Sequence, residues 1–255
     1  TVLGTHPDAV SVGELSTLHR SGWVNNEFCA CGEPADGCEF WNEVRNAWLN
    51  ANPGGDVEDY LAMQARFERF RPAAMWRTEA SSLFRTTAAR RYLAQTGSLY
   101  ESIAAVSRRR VIVDSSKTPL RARWLARLPG VDLRLVHLVR DSRAVAWSRK
   151  KSLARDLEGG VQHDLASRPA WYSVVYWTIA NLFAARLRRR AGDRGVLVRY
   201  EDFVSDPAGE LIRIGDACGL DCGGLVRALE SGESFSVGPP VAGHRLRMAG
   251  QGRCT

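Results

Sequence analysis

No run of eighteen apolar side chains occurs in the 255 residues, so the sequence holds no segment fit to cross a bilayer as a helix. No N-terminal stretch reads as a secretory signal, and the expected location is cytoplasmic. No Gly-x-x-x-x-Gly-Lys-Ser/Thr pattern is present, so the phosphate-cradling loop of nucleoside-triphosphate enzymes has no signature here. Nor is there a basic tail or a basic run interleaved with aromatics. The net charge of +7 and pI near 9.4 come from scattered residues, with local triplets at Arg108-Arg109-Arg110 and Arg188-Arg189-Arg190. Charge of this kind suits a polyanionic ligand, and nucleic acid is the minor reading.

Cysteine is sparse, and three of the six fall together in Cys29-Ala30-Cys31-Gly-Glu-Pro-Ala-Asp-Gly-Cys38. Three thiolates can hold zinc with a fourth ligand, yet no partner with zinc-site spacing follows. A disulfide requires an oxidising compartment. Reduced structural cysteines on a Gly-rich loop are the favoured reading. Cys218 and Cys222 read as core and loop.

What the chain does have is Leu133 to Arg149, LRLVHLVRDSRAVAWSR. Leu133, Leu135, Val136, Leu138 and Val139 form a nearly continuous apolar run, the pattern of a parallel strand covered on both faces. Arg140 ends it. Asp141 and Ser142 are good N-cap residues, and Ala144 to Trp147 continue as helix. A strand that delivers an arginine to a helix N-terminus suits an anion: the helix contributes free N–H groups and the positive end of its dipole, the arginine a planar fork of donors. Ser148, eight positions on, adds a hydroxyl.

Arg140-Asp-Ser-Arg-Ala-Val-Ala-Trp-Ser148-Arg resembles the 3′-phosphate-binding motif of the sulfotransferase family, whose members use 3′-phosphoadenosine 5′-phosphosulfate (PAPS). On that resemblance Arg140 and Ser148 hold the 3′-phosphate. The string from Asp114-Ser-Ser-Lys117-Thr-Pro119 to Arg149 is similar to the family over thirty-odd residues, which implies sulfuryl contact by Lys117; a lysine paired with Asp114 is the plainer alternative. VLVRYEDFVSDP resembles the strand before a nucleotide-contacting tyrosine, so Tyr200 would meet the adenine; a half-buried tyrosine at a strand end is the alternative. VAGHRLRMAG resembles the basic loop that closes over the 3′-phosphate, with Arg245 and Arg247 as candidates. LGTHPDAVSVGE is similar to the segment that follows the family's phosphosulfate loop, and that loop itself has no match; many relatives also continue past the basic loop, so the resemblance implies trimming at both ends. Glu14 closes this string where a short strand ends, a position for a general base; a surface glutamate capping the next helix is the alternative.

The expected fold is α/β: three layers, a mostly parallel sheet flanked by helices, of the P-loop nucleotide kinase-like sulfotransferase type. One domain is expected over residues 1–255. Residues 25–107 form a helical insertion that shapes the acceptor pocket, with Leu83–Leu93 and Leu99–Val106 as separate helices divided at Gly97-Ser98. Strands are expected at Ala9–Val12, Val111–Val113 and Gly195–Asp202. Helices are expected from Thr118 to Leu128, Pro169 to Leu187 (largely buried) and Pro207 to Cys218. Trp177 and Asn181 read as packing, His137 as a satisfied core residue, and His163 as part of a lid or acceptor contact.

The expected reaction is transfer of a sulfuryl group from PAPS to a hydroxyl, less readily an amine, on a small-molecule or carbohydrate acceptor, with no metal required and no nucleic acid or membrane partner. Two alternatives stand beside it: a nucleotide kinase-like phosphotransferase, and a non-catalytic relative acting as a binding module.

Overall fold

The computed structural model describes residues 2–68, 86–152, 154, 156, 164, 166–236, 238–241 and 251–252. They divide into two compact units, one running to Val131 and including Phe235–Gly252, the other Asp132–Ser234. No helix among the described residues is long and apolar enough to cross a membrane.

In the first unit, strand β1 (Ala9–Gly13) pairs in parallel with β2 (Val111–Asp114). Ala9, Val10 and Ser11 lie opposite Val111, Ile112 and Val113, and the register slips before Gly13 meets Asp114. Gly13 has φ of 71°, a backbone state a Cβ would strain, and the chain turns there into α1 (Leu15–Leu18). Helices α2 (Glu39–Ala51), α3 (Val57–Glu68) and α4 (Thr87–Ser107) follow, with Asn52 to Asp56 dividing the first two. Their aromatic stripes form the core: Trp41, Val44, Trp48, Tyr60, Phe67 and Tyr92 are buried, with Trp124 of α5 (Pro119–Leu125) among them. His19 is sealed in this cluster, its ring stacked 4.0 Å from Tyr60, and burial holds its imidazole well below the usual range. A short antiparallel pair, β5 (Phe235–Ser236) and β6 (Gln251–Gly252), also belongs to this unit.

The second unit holds β3 (Leu135–Val139), α6 (Ser142–Lys150), α7 (Ala170–Ala191), β4 (Gly195–Arg199), α8 (Tyr200–Ser205), α9 (Pro207–Cys218) and α10 (Gly223–Glu230). β3 and β4 pair in parallel from Leu135 opposite Gly195 to Val139 opposite Arg199. Helix α7 packs on α6, β3 and β4. Asp206 caps α9 by accepting from the Gly209 N–H at 2.9 Å, with Pro207 in the first turn and Gly219 closing the helix.

The structure corrects several expectations. Leu83–Leu93 falls partly outside the described residues, but α4 runs unbroken from Thr87 through Gly97 and Ser98 to Ser107. A mid-helix glycine costs about 0.5–1 kcal/mol. Here buried Tyr92, Leu99 and Ile103 hold the helix on both sides, and Gly97 sits against Leu128. β3 is not covered on both faces: its side chains alternate in exposure, and Leu138 is 58% exposed. The exposed residues, Val136 and Leu138, share the face opposite His137, and it is the His137 face that α7 reaches through Asn181. β2 is half-buried along its length. α7 is likewise not buried, since Trp171 and Leu182 are 69% and 65% exposed. The third expected strand stops at Arg199, and Tyr200 opens a helix in its place.

Candidate functional site

In the first unit the two parallel strands bring two turns together, and Asp114 ties them. Its Oδ1 accepts from the Leu15 N–H at 3.2 Å, the Ser116 N–H at 2.9 Å and the Ser116 hydroxyl at 2.5 Å. Its Oδ2 accepts from the Tyr100 hydroxyl at 2.6 Å and Arg121 Nε at 2.9 Å. The Ser116 hydroxyl in turn accepts from the Ser16 N–H, and the Gly13 carbonyl accepts from the Ser115 N–H. Burial pushes the Asp114 carboxyl up, but the Arg121 charge and the converging donors outweigh it and leave it below the usual carboxylate range. Arg121 also donates to Glu68 at 2.7 Å, so one guanidinium, 1% exposed, bridges two carboxylates, 5% and 10% exposed. Tyr92 donates to the same Glu68.

This framework sets Glu14 and Lys117 face to face. Lys117 Nζ lies 2.7 Å from Glu14 Oε1, with the lysine largely in solvent and the glutamate mostly covered. The expected general base and the expected sulfuryl contact are therefore partners in an ion pair. Asp114, the alternative partner for Lys117, is engaged with Arg121 instead.

In the second unit β3 ends at the expected turn. Arg140 lays its guanidinium 4.8 Å from the centre of the Tyr200 ring, and among the described residues it pairs with no carboxylate. Its carbonyl accepts from Trp177 Nε1 at 3.0 Å. His137 Nε2 meets Asn181 Oδ1 at 2.9 Å, while its Nδ1 is buried with no partner among the described residues, so the expected satisfied position is half satisfied. Trp177 and Asn181, one turn apart on α7, thus fix the end of β3 by hydrogen bonds as well as by packing. Ser148 is exposed on the second turn of α6, its hydroxyl bonded to no other described residue.

The N–H groups expected to be free at the start of α6 are partly occupied. Asp141 accepts from the Arg143 N–H at 2.7 Å and pairs with the Arg143 side chain at 2.7 Å; these hydrogen bonds pull its carboxyl down to about 2. Glu201 Oε1 accepts from the Asp141 N–H at 2.9 Å, and that backbone bond lowers its carboxyl. A carboxylate from the turn after β4 thus takes one donor at the place where sequence points to an anion. Arg121 and Glu201 are not candidates in the sequence reading, which weighs Asp114 only as a partner for Lys117. Arg245, Arg247 and His163 lie outside the described residues.

The model of the family described as "Sulfotransferase family" matches residues 32–223, most of the chain, and the chain belongs to that family. The match takes in Lys117, Arg140, Ser148 and Tyr200; Glu14 precedes it. No curated protein and no solved structure matches the chain.

Proposed function

We propose that this protein moves a sulfuryl group from PAPS to the hydroxyl of a small-molecule or carbohydrate acceptor, on a three-layer α/β fold of the nucleotide kinase-like sulfotransferase type. The observation that carries the reading is Arg140: an arginine delivered by a parallel strand to a helix start, stacked on Tyr200 and unpaired by any described carboxylate, has its donor fork available for a phosphate. Arg140 and Ser148 anchor the 3′-phosphate, Tyr200 receives the adenine, and Arg245 and Arg247 add charge to the same nucleotide. Residues 25–107 shape the acceptor pocket.

In the transfer the acceptor oxygen bonds to sulfur as the bond from sulfur to the donor phosphate oxygen breaks. Glu14 takes the acceptor proton, and adenosine 3′,5′-bisphosphate leaves with the electron pair. Lys117 shifts from Glu14 to the sulfuryl oxygens and the departing bridging oxygen, where negative charge accumulates. That exchange also frees Glu14 Oε1 for the proton.

Calorimetric titration with adenosine 3′,5′-bisphosphate tests the anchor. Charged hydrogen bonds are worth about 1.5–3 kcal/mol each, so Arg140→Ala is expected to weaken the bisphosphate by roughly ten- to a hundredfold. ATP with Mg²⁺ is expected to bind weakly. Equal affinity for the bisphosphate in the variant and the parent removes Arg140 from the site, and preference for ATP with Mg²⁺ favours the phosphotransferase alternative.

A further inference from the structure

Cys29, Cys31 and Cys38 converge although nothing in the sulfuryl-transfer reading uses them. Their three Sγ atoms all lie within 4.8 Å of one another; Cys29 and Cys38 are buried and Cys31 is exposed. In a tetrahedral zinc site with Zn–S bonds of about 2.3 Å the sulfurs stand about 3.8 Å apart, so small side-chain adjustments would bring all three onto one ion. The surrounding backbone is built for this convergence. The Gly32 N–H bonds the Cys29 carbonyl at 3.0 Å, the Cys29 N–H bonds the Glu33 carbonyl at 2.8 Å, and Gly32 sits at φ of 94°, which lets the chain reverse between Cys31 and Glu33. Phe28 and Pro34 form an antiparallel bridge that closes the reversal. Cys38 then enters from the residue before α2.

We propose that Cys29, Cys31 and Cys38 form a structural zinc site with three thiolate ligands and a fourth position open to solvent on the Cys31 side. The chemistry balances simply: three S–H bonds break, three Zn–S bonds form, and three protons pass to solvent. Burial pushes both thiols up, a cost that a dication offsets. A disulfide would use two of the sulfurs and give the third no reason to be there.

The ion would fasten more than its own loop. The Ala30 N–H bonds the Pro240 carbonyl at 3.0 Å, and Trp41 Nε1 bonds the Pro239 carbonyl at 2.6 Å. Zinc would therefore clamp the turn of residues 27–35, the start of α2 and the Pro239-Pro240 segment into one block. This role is independent of whether the protein transfers sulfuryl groups.

The test is metal content and cobalt spectroscopy on the whole chain. Protein purified under reducing conditions and reconstituted with Zn²⁺ is expected to hold one equivalent, released by a mercurial that titrates thiolates. Co²⁺ in its place is expected to show thiolate-to-metal charge transfer and the visible bands of a tetrahedral ion. Cys31→Ser, at an exposed position, is expected to keep the fold by circular dichroism. It should lower Zn²⁺ affinity by more than the roughly 10–100-fold that loss of an outer-shell partner costs. No bound Zn²⁺ and no Co²⁺ charge transfer in reduced, folded protein would overturn the proposal. So would Zn²⁺ affinity unchanged in Cys31→Ser, or a fully reductant-resistant disulfide within the trio, seen as a mass lower by two hydrogens.

Discussion

Arg121→Ala is expected to lower the stability of the first unit by about 3–5 kcal/mol, because it strips the cation from two buried carboxylates. For a chain of this size that corresponds to a fall of about 6–20 °C in melting temperature. Lysine is not expected to rescue it. Arg121 spreads its Nε, Nη1 and Nη2 over Asp114, Glu68 and the Tyr100 hydroxyl, and a point charge cannot meet three directions at once. Adding Glu68→Gln to the alanine variant removes one of the two stranded charges and is expected to recover part of the loss, a coupling that a double-mutant cycle reads directly. The same network gives the acid limb a sign. The folded Asp114 carboxyl lies below its unfolded value, so its contribution is present above the ordinary carboxylate range and is lost as pH falls through the folded value. Asp114→Asn should therefore flatten that limb as well as lower stability at neutral pH. A melting temperature for Arg121→Ala within a few degrees of the parent would show that the bridge does not hold this unit together.

The network also shows where sequence reasoning stopped. Arg121 lies three residues before Trp124 on one stripe of its helix, and both are buried. Gln64 and Glu68 share a stripe with Tyr60 and Phe67 in the same way. Polar residues on an apolar face were the available signal, because such a residue must find a buried partner. The partners themselves were not legible, since Arg121 and Glu68 are far apart in the chain and meet only when α3 and α5 pack. Local signals served better. Asp206, Pro207 and Gly219 bounded α9, and Asp141 marked the start of α6, because caps act within one turn of their helix. Glu201 escaped for the opposite reason: its bond to the Asp141 N–H spans sixty residues and has no local trace. Glu14 and Lys117 each carry a signal in their own turn, and their pairing follows from the parallel register of β1 with β2.

Lys117→Ala is expected to cost about 10²–10³-fold in turnover, the loss that follows removal of one preorganised donor to developing charge. The substitution should leave the fold alone. The Lys117 side chain is largely in solvent, and an exposed pair such as Lys117–Glu14 is worth only about 0–1 kcal/mol. Affinity for adenosine 3′,5′-bisphosphate should fall only modestly, because that ligand keeps the departed oxygen in its 5′-phosphate but lacks the sulfuryl group. Arg140→Ala should show the reverse, with weakened binding of the bisphosphate itself. Glu14→Gln separates the proton step from the charge step. It keeps the shape of the side chain, removes the base, and is expected to cost about 10²–10⁴-fold, with the loss easing for acceptors whose hydroxyl is already acidic. Lys117→Ala would show no such easing with acceptor acidity, since its charge serves the leaving oxygen. Turnover by Lys117→Ala equal to the parent's would mean that the pair with Glu14 is a surface contact and that the charge on the departing oxygen is met elsewhere in the chain.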